Sequence, residues 1–237
     1  MTTASHGTAS STPRPACPHT PPAVRVLRVA LAVLGAVALA WLPIHEAGEP
    51  DFDLVSYFSY FTVLSNVLAV VVLAVGAVID PQGERWQSFR GAVTVYMVIT
   101  GIVYAVLLAN VDVGGQGQWT NDVVHRVMPL VILLDWVVFP ARRRISDATA
   151  MTWVWFPVLY GVYTLIRGPI VAWYPYPFID PRQQGPLQMA IGLVVLVVAF
   201  LLISLAVNVA GRLGARWRYG DRTVPASDAG VDRKVEQ

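Results

Sequence analysis

Apolar residues are concentrated in six stretches of the chain, which short polar segments separate. The stretches lie near residues 24–44, 55–79, 89–110, 122–140, 150–168 and 186–211. A helix of roughly 20 apolar residues crosses the hydrocarbon core of a bilayer and satisfies its own backbone hydrogen bonds there. The pattern therefore predicts an all-α fold, a polytopic membrane bundle of six transmembrane helices that forms one domain over residues 24–211.

The composition agrees with a membrane protein and narrows its partners. Of the 237 residues, 55% are hydrophobic and 14% are charged, whereas soluble domains carry about 25% charged residues. Membrane lipids are therefore the expected partners, and a net charge of +2 is too small to favour nucleic acid. The single cysteine, Cys17, excludes an internal disulfide framework.

Both ends of the chain are polar. Residues 1–23 are rich in Ser, Thr and Pro, so we expect a disordered tail rather than a signal peptide, which needs an apolar stretch. Residues 212–237 begin with arginines and end with polar residues, which indicates a second tail. Within the spans, Pro129 and Pro157 are predicted to kink their helices.

The distribution of arginine predicts the orientation of the bundle. Arginines occur in the N-terminal flank, the second loop, the "ARRR" segment at 141–144 and the C-terminal tail. The first and third loops contain none, and the fifth contains only Arg182, with Arg167 at its edge. Because positive residues favour the cytoplasmic side, both termini are predicted to be cytoplasmic in a multi-pass protein of the cell membrane.

With this orientation, polar residues from four spans lie at one depth, in the outer half of the bilayer. These residues are Thr62, Ser65, Asn66, Tyr104, His125 and Arg167. Polar side chains are costly in lipid, so they are expected to face the interior of the bundle or a wet cavity. The pattern predicts a pocket that these residues line and that opens toward the outer face.

A hydroxyl and an imidazole at one depth are the minimum for nucleophilic acyl transfer. The Thr62 hydroxyl is unionised at neutral pH and needs a base, and His125 suits that role. Because a helix interior offers no free backbone N–H, the candidate oxyanion donors are the side chains of Asn66, Tyr104 and Arg167. Spacing does not choose among them, and Ser65 is a further substrate contact. No cofactor or metal is predicted.

Each of these residues also has a structural interpretation. A Thr or Ser in a membrane helix often bonds the carbonyl one turn earlier, and Asn often joins helices. His125 equally fits the membrane interface, and aromatic residues near the outer boundary, including Tyr176, fit an aromatic belt. Asp135, deeper in span four, is expected to be neutral or paired with an arginine of the 141–144 loop.

Two short motifs carry a resemblance to a known family. "YFTVLSN" at 60–66 and "HRVMP" at 125–129, on the second and fourth spans, resemble the bacterial Pr-six-Pr type of integral membrane protein. That group is distantly similar to the androgen-induced-gene family of six-span membrane threonine hydrolases. The resemblance implies hydrolysis of fatty acid esters of hydroxy fatty acids, with Thr62 as nucleophile and His125 as its histidine partner. The Ser-Asn that follows Thr62 belongs more to the bacterial pattern.

Two functions are therefore expected. The first is an integral membrane hydrolase of lipid-like esters with its pocket in the outer leaflet. The second is a non-enzymatic, regulatory membrane protein that binds a lipid or a small hydrophobic ligand in the same pocket. A transporter is less favoured, because the sequence shows no inverted repeat and few buried charges.

Overall fold

The computed structural model of the protein describes residues 20–50, 52–108 and 118–220. These residues are almost all helical and include no strand, which confirms the predicted all-α fold. Residues 1–19 of the predicted N-terminal tail, most of the third loop and residues 221–237 of the predicted C-terminal tail lie outside the described residues. The sequence predicts that the C-terminal tail begins at residue 212, but the last helix continues to Tyr219.

The described helices follow the predicted spans, with short helices between them. In chain order they are α1 (Pro22–Glu46), α2 (Leu54–Tyr57), α3 (Phe61–Val78), α4 (Glu84–Val103), α5 (Gln118–Asp122), α6 (Met128–Val138), α7 (Asp147–Met151), α8 (Trp155–Val171), α9 (Pro181–Gln184) and α10 (Pro186–Tyr219). Two π-helical turns, Tyr104–Leu108 and Val123–Val127, extend α4 and connect α5 to α6. Short 3₁₀ turns occupy Thr152–Val154 and Pro177–Ile179.

Several of these helices have the length and composition of membrane spans. Five are long and apolar enough, namely Pro22–Glu46, Phe61–Val78, Glu84–Leu107, Asp147–Val171 and Pro186–Tyr219. The continuous segment 118–138 has a comparable length but carries Asp122, Arg126 and Asp135. A helical membrane protein is thus supported, while the sixth span and the orientation remain predictions.

The predicted second span, 55–79, consists of two helices. α2 begins after Asp53, whose carboxylate accepts hydrogen bonds from the first backbone N–H groups of the helix. It ends at Tyr57, and α3 begins at Phe61 after an extended residue. As a result Thr62 lies in the first turn of α3 and not in the middle of a long helix.

α3 and α4 form the centre of the bundle. α1 packs along α3, α6 packs along α4, and α10 packs against both α4 and α6. Glycine allows two of the close approaches, because a Cβ on Gly91 would overlap Trp153 and a Cβ on Gly211 would overlap Trp136. α8 makes few close backbone contacts with the other long helices, which leaves a gap beside α4 and α10.

A buried ion network joins α1, α4 and α6. Arg28 Nε and Arg90 Nη2 each donate a hydrogen bond of 2.7 Å to the Asp135 carboxylate. Arg28 also lies 3.7 Å from the Asp80 carboxylate at the end of α3. The prediction of a partner from the 141–144 loop is wrong, because Arg28 and Arg90 reach the bundle interior at the depth of Asp135.

Candidate functional site

Thr62 and His125 lie within hydrogen-bond distance of each other. Thr62 Oγ1 is 3.3 Å from His125 Nε2, between the first turn of α3 and the π-helical turn Val123–Val127. His125 Nδ1 lies 3.1 Å from the carbonyl oxygen of Asn121. Because a carbonyl oxygen only accepts, we assign the ring proton to Nδ1, so that Nε2 presents its lone pair to the Thr62 hydroxyl. A general base needs this arrangement.

Tyr104 and Asn121 fix the orientation of the imidazole. The rings of Tyr104 and His125 stack with their centroids 4.3 Å apart and their planes 20° apart. Asn121 Nδ2 donates a 2.6 Å hydrogen bond to the Tyr104 hydroxyl, while the Asn121 carbonyl holds the imidazole. Tyr104, one of three candidate oxyanion donors, therefore lies against the histidine ring and positions it.

The hydroxyl of Tyr176 lies beside Thr62, although sequence reasoning did not assign it to the site. It is 3.4 Å from Thr62 Oγ1 and accepts a 3.3 Å hydrogen bond from the Thr62 backbone N–H. The buried ring packs edge-on against Tyr60 and stacks on Phe178. Since 114 residues separate Tyr176 from Thr62, no local spacing signals this contact.

Hydrogen bonds from Arg182 hold both ends of the loop that carries Tyr176. Arg182 donates a 2.9 Å hydrogen bond to the carbonyl of Ala172 at the end of α8. It donates others, also of 2.9 Å, to the Asp180 carboxylate just before α9. The hydrogen bonds from Arg182 lower the pKa of Asp180 to about 2. The carboxylate is therefore ionised at physiological pH, and the Tyr176 loop keeps its anchor.

The break before α3 places the start of a helix at the hydroxyl of Thr62. Backbone N–H groups in a first turn have no acceptor in their own helix, and the helix start carries a partial positive charge. The expectation that no backbone N–H is available near Thr62 is wrong, because the helix restarts at Phe61. Negative charge that develops beside Thr62 would be stabilised there.

Asn66 and Ser65 lie one turn further along α3. Asn66 Nδ2 donates to the carbonyls of Thr62 and Val124, at 2.9 and 3.0 Å, and so ties α3 to the turn that carries His125. Ser65 is fully buried and donates to the carbonyl of Phe61 at 2.7 Å, as the structural interpretation expects. Asn66 thus sets the distance between the two reactive side chains, and Ser65 lies outside the cavity described below.

Arg167 lies near the C-terminal end of α8 and points to α2, away from the hydroxyl of Thr62. Its Nη2 donates to Ser56 Oγ at 3.1 Å and is 3.7 Å from the Asp53 carboxylate. Hydrogen bonds from Ser56, together with the charge of Arg167, lower the pKa of Asp53. Arg167 therefore joins the end of α8 to Ser56 in α2 and to Asp53 just before α2.

Thr62 and Tyr176 both line a cavity of about 230 Å³. The cavity occupies the gap between α4, α8 and α10, and its wall is almost entirely apolar, with Val158, Leu196 and Phe200 among its residues. His125 is not among the residues that line the cavity, so its imidazole contacts the hydroxyl of Thr62 from outside the cavity. A hydroxyl with an adjacent base thus faces a space that suits a hydrocarbon chain.

Fold and site together define an all-helical protein, with spans suited to a membrane, that holds a Thr–His pair at the end of an apolar cavity. No known family, curated protein or solved structure matches the chain. The described residues also contain no group of three His, Cys, Asp or Glu side chains that would hold a metal ion. The chemistry of the site therefore has to be inferred from its geometry.

Proposed function

We propose that the protein is an integral membrane hydrolase of lipid-like esters that uses Thr62 as nucleophile and His125 as base. The observation that carries the proposal is the 3.3 Å separation of Thr62 Oγ1 and His125 Nε2, where Thr62 lines an apolar cavity. The resemblance of the "YFTVLSN" and "HRVMP" motifs to membrane threonine hydrolases supports the same two residues. Fatty acid esters are the substrate class that this resemblance implies.

In the first half of the reaction, Thr62 Oγ1 attacks the ester carbonyl carbon while its proton passes to His125 Nε2. The carbonyl electron pair moves onto oxygen, and the oxyanion develops beside the start of α3. Tyr176 accepts a hydrogen bond from the Thr62 N–H, which leaves its own hydroxyl proton free to turn toward the oxyanion. Tyr176 is thus proposed as an oxyanion donor in place of the candidates Asn66, Tyr104 and Arg167.

The tetrahedral intermediate then collapses and the bond to the alcohol breaks. His125 returns its proton to the departing alkoxide, which leaves as the free alcohol. Water then attacks the carbonyl carbon of the acyl-threonine ester while His125 takes one of its protons. The bond between the acyl carbon and Thr62 Oγ1 breaks, His125 returns that proton to Thr62 Oγ1, and the carboxylic acid is released. The Asn121 carbonyl and the Tyr104 ring keep the imidazole in one orientation through both halves.

The cavity favours an amphipathic substrate that enters from the lipid. A hydrocarbon chain bound between α8 and α10 would gain about 25 cal/mol of binding free energy for each Å² of apolar surface that it removes from water. The gap between α8 and α10 would give such a chain a sideways route from the lipid. The carbonyl of a bound ester would then lie at the polar end, beside Thr62 and Tyr176.

We further propose a cell-membrane protein with six spans and both termini in the cytoplasm. The sixth span would be the segment 118–138. Asp135, its most deeply placed charge, pairs with Arg28 and Arg90, and Asp122 pairs with Arg126 nearer the outer end. Pairing removes much of the cost of burying these charges in a bilayer. In this orientation the Thr62 cavity opens in the outer half of the membrane.

One observation favours a ligand-binding function without turnover. Thr100 lines the cavity, and its buried Oγ1 has no hydrogen-bond partner among the described residues. A polar group of a retained lipid would satisfy it. On this alternative, the protein binds a hydrophobic molecule in the same cavity and has a regulatory role.

Labelling with a fluorophosphonate probe tests the hydrolase. Purified wild-type protein is expected to be labelled, Thr62→Val to be silent, and Thr62→Ser to retain labelling because the hydroxyl survives. His125→Ala is expected to slow labelling by about 10²–10⁴-fold, as for the loss of a positioned base. Tyr176→Phe is expected to slow ester turnover by about 10²–10³-fold, as for the loss of one oxyanion donor.

Ser65→Ala is the matched control. It removes a hydroxyl one turn from Thr62 whose hydrogen bond, among the described residues, is to the Phe61 carbonyl of its own helix, so labelling is expected to be unchanged. Equal labelling of wild-type and Thr62→Val protein would exclude Thr62 as the nucleophile. If the wild-type protein resists several probe chemistries but binds a fluorescent fatty acyl ligand, the binding function is supported instead.

A further inference from the structure

Another cavity lies at the opposite end of the bundle from the Tyr176 loop and is strongly basic. It is formed by the loop that follows α6 and by the last turns of α10, and it has a volume of about 70 Å³. Five of its lining residues are arginines and none is acidic. The arginines are Arg142, Arg143, Arg144, Arg212 and Arg216. We call it the arginine pocket.

Close packing of α6 against α10 brings these charges together. A Cβ on Gly211 would overlap the Trp136 indole, and a Cβ on Gly214 would overlap the carbonyl of Val137. The two helices therefore approach to backbone distance, and the loop after α6 is held against the last turns of α10. Asn208 Nδ2 adds a hydrogen bond of 3.3 Å to the carbonyl of Ile145 in that loop. The pocket is thus fixed by the fold.

The carboxylates of the described residues neutralise only part of this charge. Asp147 pairs with Arg212 at 2.8 Å, and Glu84 pairs with Arg143 at 3.3 Å. Neither of these pairs involves Arg144 or Arg216, whose positive charges have no carboxylate partner among the described residues. Like charges crowded into a cleft raise the local concentration of anions. The arginine pocket therefore has the electrostatics of an anion site.

The length of α10 places the pocket at the surface of a bilayer. Its 34 residues extend for about 51 Å at 1.5 Å per residue, whereas the hydrocarbon core is about 30 Å thick. The apolar first part of α10 is sufficient to cross that core. The turns that carry Arg212 and Arg216 then lie at the level of the lipid phosphates.

We propose that the arginine pocket binds a phosphate group, carried by the headgroup of an anionic phospholipid or present as free phosphate. The planar guanidinium group donates paired hydrogen bonds to phosphate oxygens, which an ammonium group does not. Arg144 and Arg216 are both exposed and have no acidic partner among the described residues. They are the donors available to a ligand, and the site is independent of the Thr62 cavity.

The test measures the thermal unfolding of the purified full-length protein in a neutral detergent. The probes are a short-chain phosphatidylglycerol, the matching phosphatidylcholine, and inorganic phosphate. A saturable rise in Tm is expected with phosphatidylglycerol or with phosphate and not with phosphatidylcholine. Since the lost donors make charge-assisted bonds, R144Q with R216Q is expected to weaken binding by about 100-fold, roughly tenfold for each arginine.

The control pair is R85Q with R218Q, which removes the same charge from exposed arginines outside the pocket. It is expected to change affinity by less than about fivefold. R144K with R216K keeps the charge and is expected to lose affinity in part, since lysine lacks the planar fork. If the variant with R144Q and R216Q does not fold, the variant with R144K and R216K provides the measurement of weakened binding.

The outcomes separate the ligand sources. A shift with phosphatidylglycerol alone identifies a lipid headgroup, whereas a shift with inorganic phosphate at millimolar concentration identifies a free anion. Equal affinity of the pocket pair and the control pair for every probe would overturn the proposal, because binding would then reflect general surface charge. So would the absence of any shift with the wild-type protein.

Discussion

Asp135→Asn is expected to destabilise the protein more than any surface substitution. The change keeps the shape of the side chain and removes the charge that Arg28 and Arg90 share. Both arginines are buried, with 5% and 7% of their side chains exposed, and Asp135 is 11% exposed. Two positive charges would then remain in the bundle interior with less compensation.

The structure gives the expected magnitude. Removing one partner of a buried ion pair costs about 3–5 kcal/mol, because the remaining charge is left desolvated. Arg28 would keep the Asp80 carboxylate at 3.7 Å, whereas Arg90 would keep the Gln87 side chain, the carbonyl of Phe139 and the face of Trp136, which are all uncharged. Most of the cost therefore falls on Arg90. At about 2–4 °C per kcal/mol for a chain of this size, Tm should fall by roughly 6–20 °C.

Tryptophan fluorescence during heating in detergent measures this effect. Glu84→Gln is the matched control, because it breaks an exposed ion pair with Arg143 and should cost less than about 1 kcal/mol. Adding Arg90→Gln to Asp135→Asn removes the uncompensated charge and should restore part of the lost Tm. If Asp135→Asn lowers Tm no more than Glu84→Gln, the network does not contribute to stability as argued.

Three further predictions concern packing, pH and topology. Gly91→Ala should cost about 1–3 kcal/mol of stability, measured as a fall in Tm, because its Cβ would overlap the Trp153 ring; an unchanged Tm would contradict that approach. Labelling of Thr62 should fall about tenfold for each pH unit below the pKa of His125, since only the neutral imidazole accepts the proton; a flat pH profile would exclude a histidine base. In a Cys17→Ser background, cysteines at 114–118 should react with an impermeant thiol reagent in intact cells and those at 142–144 should not; the reverse would invert the orientation.

The sequence predicts what depends on repeated, short-range patterns. Apolar runs locate the long helices to within a few residues at most ends, because burying apolar surface is a property of each segment by itself. The orientation inferred from arginine placed Thr62 and His125 at one depth, and the structure brings them within 3.3 Å. That prediction needed only the rise of a helix and the direction of each span.

Contacts between distant segments could not be predicted in the same way. Tyr176 approaches Thr62 from a loop 114 residues away, and nothing in the local pattern distinguishes it from a residue at the membrane boundary. Asp135 likewise had several arginines available, and only packing selects Arg28 and Arg90 over the 141–144 loop. The tertiary arrangement therefore determines which distant residues pair with Thr62 and with Asp135.

The remaining differences are local departures from the α-helix, and they coincide with the site. α3 restarts just before Thr62, one π-helical turn begins at Tyr104, and another contains His125. Pro129 accounts for part of the last, since it has no N–H to donate to the carbonyl of His125 and so cannot extend an α-helix through that turn. A π-helical turn rotates the side chains that follow it relative to a regular helix, and such turns are frequent at functional sites. In a bundle of regular α-helices, every backbone N–H of these turns would bond the carbonyl four residues earlier, and the side chains of Thr62, His125 and Tyr104 would have different directions. The irregular turns therefore allow a threonine, a histidine and a tyrosine from three helices to meet at one point.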